Sequence, residues 1–262
     1  PGKRIIDYNK AAEKFFKKLN ISLNHYPLKR ILDREPKLLE IFESEGSRDF
    51  SLVIDGEERF FEINTVFLGV FQDGNTKMLK SIRDVTVEKK IQDKLKYLAT
   101  IDSLSGLYNR GEFMNLAKRE FTRTKKNNEK LSVLIMDLDN FKLINDTFGH
   151  GAGDEVIREF GSIIRTSFRK TDIAGRIGGE EFSVVLMGAS LEEAKNVAEK
   201  FRETVANRKV IYGEQEISFT VSIGVAAIHR NADDFYDFED ILKTADDALY
   251  RAKTSGRNRV SF

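Results

Sequence analysis

The chain has 262 residues, 43 Lys plus Arg against 42 Asp plus Glu for a net charge of +1, and no Cys or Trp. The absence of cysteine excludes disulfides, thiolate catalysis, Cys-type zinc sites and flavin–cysteine photochemistry, and near-neutrality argues against a general nucleic-acid binder. No stretch reaches the roughly 18 apolar residues of a spanning helix and no signal peptide opens the chain, so a cytoplasmic location is expected.

In chain order, residues 9–16 and 37–42 read as short helices. Three strands follow at 50–54, 60–71 and 78–82, separated by the turn signals Asp55-Gly56 and Asp73-Gly74; strands linked this way form an antiparallel meander. A helix then runs from Thr86, a plausible N-cap, to about residue 100. Its apolar residues Val87, Ile91, Leu95 and Leu98 are spaced 4, 4 and 3 apart, a stuttered rather than a strict heptad pattern. The helix is either an ordinary amphipathic helix packed on a domain or a short parallel coiled coil joining two chains.

Beyond it, helix and strand alternate. Helices are predicted at 112–127, 152–168, 190–205 and 238–254, and the apolar run 131–137 reads as a buried central strand. Residues 172–186 read as two strands around Gly178-Gly179, and 217–228 as one more strand. The expected class is α+β, in three parts: 1–85, a linker helix over 86–102, and 103–262 with helices over one mainly antiparallel sheet.

The chemistry concentrates at strand ends. An apolar strand ending in Asp137 places a carboxylate at the sheet rim, where it either holds Mg²⁺, a hard cation that takes oxygen ligands, or caps the next helix. Lys142 lies on the following turn, within reach of a phosphate. In Arg176-Ile-Gly-Gly-Glu-Glu-Phe182 the glycines permit close backbone approach to a ligand. The adjacent Glu180 and Glu181 repel each other unless a divalent cation offsets the charge; otherwise the segment is a solvated turn.

Gly178-Gly-Glu-Glu-Phe182 resembles the signature of the GGDEF family, the diguanylate cyclases, in its GGEEF form. Asp102-Ser-Leu-Ser-Gly-Leu-Tyr-Asn-Arg110, Phe141-Lys-Leu-Ile-Asn-Asp146, Gly149-His-Gly-Ala-Gly-Asp154, Ser222-Ile-Gly-Val225, Ala245-Asp-Asp-Ala-Leu-Tyr250 and Lys253-Thr-Ser-Gly-Arg-Asn-Arg259 follow in family order, so the resemblance spans residues 100–262. It implies a nucleotidyl-cyclase or polymerase-palm-like sheet and Mg²⁺-dependent (Mn²⁺ possible) condensation of two GTP into cyclic di-GMP by a homodimer. It further implies Asp137, the Leu138 carbonyl, Glu180 and Glu181 as metal ligands, with Glu180 the candidate base and Glu181 beside it. Asn145 and Asp154 would read guanine, His150 and Phe141 would lie near the nucleotide, and Lys142, Lys253 and Arg257 would hold the triphosphate. Lys253 and Arg257, four apart, are expected to point the same way at the end of the last helix. Arg169-Lys-Thr-Asp172, with its Asp six residues before Gly178, has the spacing of the family's product-inhibition site; Lys200 stands where many members carry a further Arg and loses the guanidinium fork.

Residues 1–85 resemble a PAS sensor domain, through Arg4-Ile-Ile-Asp-Tyr-Asn-Lys-Ala-Ala12, similar to its second strand and first helix, and Ile82-Arg-Asp-Val-Thr86, similar to its exit motif. The family's first strand would precede Gly2 and the chain opens on Pro1, so upstream residues are expected, with room there for a membrane anchor. A small PAS ligand is possible, with Phe60, Phe61, Phe67 and Phe71 as lining or as plain core; haem is disfavoured, His25 being the only histidine of that region. The rival reading of the whole is a GGDEF module without catalysis that senses GTP or cyclic di-GMP; the intact Asp137 and signature argue against it. A mixed-nucleotide cyclase would be expected to lose Asp154, and a pure dimerisation scaffold leaves Asp137 and the Gly-Gly-Glu-Glu tip unexplained.

Overall fold

The structure, a computed structural model, describes residues 5, 7–19, 38, 46–70, 76–228 and 237–262. They fall into two compact units, one up to Leu95 and one from Lys96 to Phe262. Among the described residues no helix is long and apolar enough to cross a membrane.

In the first unit α1 (Lys10–Lys18) starts where the Asn9 carboxamide oxygen accepts from the Ala12 N–H at 2.9 Å. The strands β1 (Gly46–Ile54), β2 (Glu57–Val70) and β3 (Thr76–Asp84) form the expected antiparallel meander. Asp55 and Gly56 both take positive φ, the backbone of a two-residue hairpin turn whose twist matches its strands. Phe16, Leu38, Leu52, Ile54, Phe61 and Ile63 make a small core, with Phe50 stacked on Phe61. The described phenylalanines among those read as pocket lining or plain core take different places. Phe61 is core and Phe60 half-buried, whereas Phe67 is 60% exposed near the far end of β2, past which the pairing with β3 shifts register. Ile5 and Asp7–Asn9 belong to no strand, against the resemblance to a strand there. Phe71, the Asp73-Gly74 turn and all of the predicted 37–42 helix except Leu38 lie outside the described residues.

α2 (Thr86–Thr100) begins differently from expectation: Thr86 is its first residue, not its cap. Asp84 accepts from the Thr86 N–H at 3.0 Å and from its hydroxyl at 2.6 Å, and the Thr86 Oγ1 in turn accepts from the Phe60 N–H at 2.9 Å. The carboxylate two residues upstream does the capping, which frees the threonine to bind the sheet. Val87, Ile91, Leu95 and Leu98 are 67, 53, 61 and 58% exposed, so no part of the described chain covers this stripe.

The second unit is built on a five-stranded sheet. Its elements are α3 (Arg110–Asn127), β4 (Leu131–Leu138), α4 (Phe141–Phe148), α5 (His150–Ser167), β5 (Ile173–Arg176), β6 (Glu181–Met187), α6 (Leu191–Ala206), β7 (Lys209–Tyr212), β8 (Gln215–Ser218), β9 (Val221–Ile228), α7 (Phe238–Thr254) and β10 (Val260–Ser261). The strand order is β10-β9-β4-β6-β5, antiparallel except for the β10–β9 pair. Every residue of β4 is buried because the sheet is covered on both faces. Leu134, Met136 and Leu138 pack with Phe160 and Phe201, while Leu131, Val133 and Ile135 pack with Phe113 and Phe238. That is why the strand reads as a continuous apolar run rather than an alternating one.

Three details differ from the reading of the sequence. The helix expected at 152–168 begins at His150, after a separate helix α4, and Gly149 with φ 84° makes the break between them. The strand expected at 217–228 is two strands, and its first part pairs with β7 in a hairpin of its own. The chain changes sheets at Phe219 and Thr220, where Phe219 is buried and Thr220 bonds Asp139 through its hydroxyl and its carbonyl. The two-residue strand β10 was too short to give a periodic signal.

Candidate active site

Antiparallel pairing brings the end of β4 beside the starts of β6 and β9. Asp137 lies in register with Glu181 on one side and Ser222 on the other. Its side chain is buried, and Lys253 from α7 sits 2.7 Å from its Oδ2. Burial pushes the Asp137 carboxyl up to about 6; Glu180 and Glu181 add to the rise, and Lys253 opposes it. Lys253, which the resemblance assigns to the triphosphate, rests against this carboxylate.

The Gly-Gly tip has a built geometry. The N–H groups of Ile177 and Gly178 both donate to the Glu181 carbonyl, at 2.9 and 3.2 Å. The Glu181 carboxylate lies over Gly178, so a side chain there would displace the carboxylate from its present seat. Arg176 donates from Nε and Nη2 to the Gly179 carbonyl at 3.0 and 2.7 Å, and from Nη1 to Asp102 at 3.1 Å. Burial raises the Asp102 carboxyl, but the Ser105 N–H and hydroxyl together with Arg176 outweigh it and hold the group below its ordinary range. The turn after α2 and the tip of the signature hairpin are thus bolted together. Both motifs are visible in the sequence, but the link between Arg176 and Asp102, 74 residues apart, is not.

The donor chemistry suits a hard cation. Asp137 is short of solvation and faces two more carboxylates, a condition a divalent ion relieves. Among the described residues no three acidic or histidine side chains converge into a cage; Mg²⁺ sites of this type use one or two carboxylates and complete the shell with substrate phosphates.

A second corner is formed by α4 and α5. The Asn145 carboxamide, with the Phe141 ring behind it, fills the space a side chain at Gly153 would need. That glycine is what lets Asn145 reach the first turns of α5, next to Asp154. Asp154, His150 and Lys142 are exposed. Asn140, with φ 55°, precedes α4 without a side-chain cap, so the first N–H groups of that helix keep their dipole end for an anion. Tyr212, from the β7–β8 hairpin, lays its hydroxyl over Gly151, a neighbour that sequence patterns did not suggest.

Arg257 departs from expectation. α7 ends at Thr254, and Gly256, Arg257 and Asn258 follow with φ of 110, 60 and 46°. Arg257 therefore stands in a left-handed turn, exposed, and the four-residue helical spacing from Lys253 does not apply to it.

The proposed inhibitory residues lie at another corner. Asp172 accepts from the Arg169 N–H at 3.0 Å and the Met187 N–H at 3.2 Å, closing the α5–β5 turn and leaving the Arg169 side chain exposed. Phe168 packs on Phe201 with centroids 5.1 Å apart, which brings the α6 turn carrying exposed Lys200 to the same corner.

Residues 99–259 match the family described as diguanylate cyclase, GGDEF domain. Diguanylate cyclase A of Treponema denticola is 36% identical over 195 residues, 73% of this chain and 52% of that protein. The protein YhcK of Bacillus subtilis is 35% identical over 227 residues, 86% of this chain and 62% of that protein. Among solved structures, the coiled coil and GGDEF domain of DgcB from Caulobacter crescentus in complex with c-di-GMP superposes with a TM-score of 0.62 at 28% identity, covering 68% of this chain and 92% of that one. The chain thus spans between half and two thirds of the length of these two curated relatives. With the family match over residues 99–259 and a fold that superposes on such a domain, the chain belongs to the GGDEF domain family.

Proposed function

We propose that the chain is a diguanylate cyclase, condensing two GTP into cyclic di-GMP and two pyrophosphates. One arrangement carries the reading: buried Asp137, in register with Glu181 and bonded to Lys253, on a rim whose neighbouring helices hold Asn145 beside the turn of Asp154. Such a rim offers oxygen ligands for a hard cation, ammonium and guanidinium groups for a triphosphate, and an amide with a carboxylate for the guanine edge.

Asp137, the Leu138 carbonyl, Glu180 and Glu181 would hold Mg²⁺, and Mn²⁺ suits the same oxygen set. When bound, the ion would neutralise charge developing on the α-phosphate and lower the pKa of the attacking hydroxyl. Lys253 exchanges Asp137 for phosphate oxygens and joins Lys142 and Arg257 on the triphosphate. Asn145 and Asp154 pair with the guanine, with Phe141 and His150 beside it. Glu180 accepts the 3′-hydroxyl proton as that oxygen bonds to the α-phosphorus of the facing GTP and the bond to pyrophosphate breaks.

Each domain holds one GTP, so two copies must face each other. The exposed stripe of α2 supplies a helix seam for them, and the Caulobacter neighbour carries a coiled coil beside its GGDEF domain. The stutter in that stripe allows two seam registers of similar energy, a means of switching. The first unit, with α1, the meander and the Asp84–Thr86 joint, is read as a PAS sensor feeding this helix. Arg169, Asp172 and Lys200 form the site at which cyclic di-GMP inhibits. Mass spectrometry of separate GTP and ATP incubations with Mg²⁺ tests the assignment. Cyclic di-GMP from GTP alone is expected, and equal cyclisation of ATP would defeat the guanine-reading role of Asn145 and Asp154.

A further inference from the structure

Asp139 is buried, 5% exposed, and plays no part in the site described so far. Its three donors are neutral: the Thr220 hydroxyl at 2.7 Å, the Ser222 hydroxyl at 2.6 Å and the Asn258 N–H at 2.9 Å. Its own N–H donates to the Thr220 carbonyl at 2.9 Å. A desolvated carboxylate is costly to keep, yet it accepts three donors at once, which no neutral side chain of its size does.

What it holds is strained. Arg257 and Asn258 are consecutive non-glycine residues at positive φ, following Gly256 at φ 110°; such backbone persists only where its surroundings over-determine it. Besides Asp139, the Asn258 carboxamide accepts from Arg202 Nη1 at 2.9 Å, the Arg257 N–H donates to Ala252 at 3.1 Å, and the Arg259 carbonyl accepts from Ile223 at 2.9 Å. One strand exit therefore serves two cations: Asp137 bonds Lys253, and Asp139, two residues on, bonds the turn that carries Arg257.

We propose that Asp139 is a positioning residue that locks the Gly256–Asn258 turn and so aims Arg257 at the nucleotide's triphosphate. This rests on the reading of Arg257 as a triphosphate ligand. The test is a double-mutant cycle read by calorimetry in Mg²⁺, with 3′-deoxy-GTP, which lacks the attacking hydroxyl, and with GMP. Asp139→Ala should weaken 3′-deoxy-GTP about tenfold and GMP less than about twofold, and its effect should disappear in an Arg257→Ala background. Asp139→Asn, which keeps one acceptor oxygen for Asn258 and loses the other, should restore only part of the affinity. Equal loss for both ligands, or effects that simply add, would overturn the proposal. Unchanged binding by Arg257→Ala alone would instead remove the triphosphate role of Arg257 and the proposal with it. Should Asp139→Ala not fold, amide exchange in the unaltered protein decides: the Asn258 N–H should be protected, and exchange as fast as that of Gly256 would refute the clasp.

Discussion

Asp137 is ionised at a cost, because burial and two neighbouring carboxylates disfavour its charge more than Lys253 favours it. A folded value of about 6 above an ordinary 3.8 means that the native protein takes up the proton first. The group's contribution to stability is thus fully present below pH 3.8 and lost as pH rises through about 6. In metal-free buffer, Asp137→Asn should therefore be more stable than the parent at pH 8, by at most about 3 kcal/mol, with the gap closing toward pH 4. Thermal melts across that range check this; a difference independent of pH would contradict it. Arg176 makes a second prediction at this scale. It links the Gly179 carbonyl to Asp102, so Arg176→Lys, which keeps the charge but not the fork, should lower kcat about tenfold or more while leaving KM for GTP near its parent value. Steady-state kinetics with unchanged kcat would show that the bolt is dispensable.

Among the elements, α2 is the one whose sequence makes the sharpest demand. Four large apolar residues stand more than half exposed along one side of it, and exposure of that kind marks an interaction surface. Ile91→Glu with Leu95→Glu should shift sedimentation from dimer to monomer and abolish cyclisation while the domain still binds one GTP. A dimer that survives these changes would place the seam elsewhere. How well the elements could be read in advance follows from where their signals come from. The bounds of α7 match the reading residue for residue, since its apolar period and its capping Asp237 are local. β4 was legible for the same reason. The β7–β8 hairpin was missed although Gly213, at φ 62°, marks its turn, because the apolar run into β9 masked the change of sheet. Asp139 could not be found this way: its three donors lie 81, 83 and 119 residues along the chain. Asp137 and the signature stood out because strand ends and paired glycines speak for themselves, whereas the left-handed turn of Arg257 and the seat of Lys253 depend on tertiary contacts.

At the scale of the molecule, regulation should be separable from chemistry, because Arg169 and Lys200 are exposed on a corner formed by the α5–β5 turn and α6, while Asp137 is buried at the β4–β6 rim. Arg169→Ala should relieve inhibition by added cyclic di-GMP without lowering the initial rate, and Lys200→Arg, by restoring a fork for the guanine edge, should strengthen inhibition several-fold. Titrating cyclic di-GMP against initial rate reads both; a parent protein indifferent to its product would remove the inhibitory site. On the proposed function, two copies of this rim, face to face, join two GTP molecules. The most direct measurement is the stoichiometry of products from a sample shown to be dimeric, supplied with GTP and Mg²⁺. One cyclic di-GMP for every two pyrophosphates is expected, lost in Glu180→Gln. A dimer that binds GTP and releases no cyclic di-GMP would contradict it.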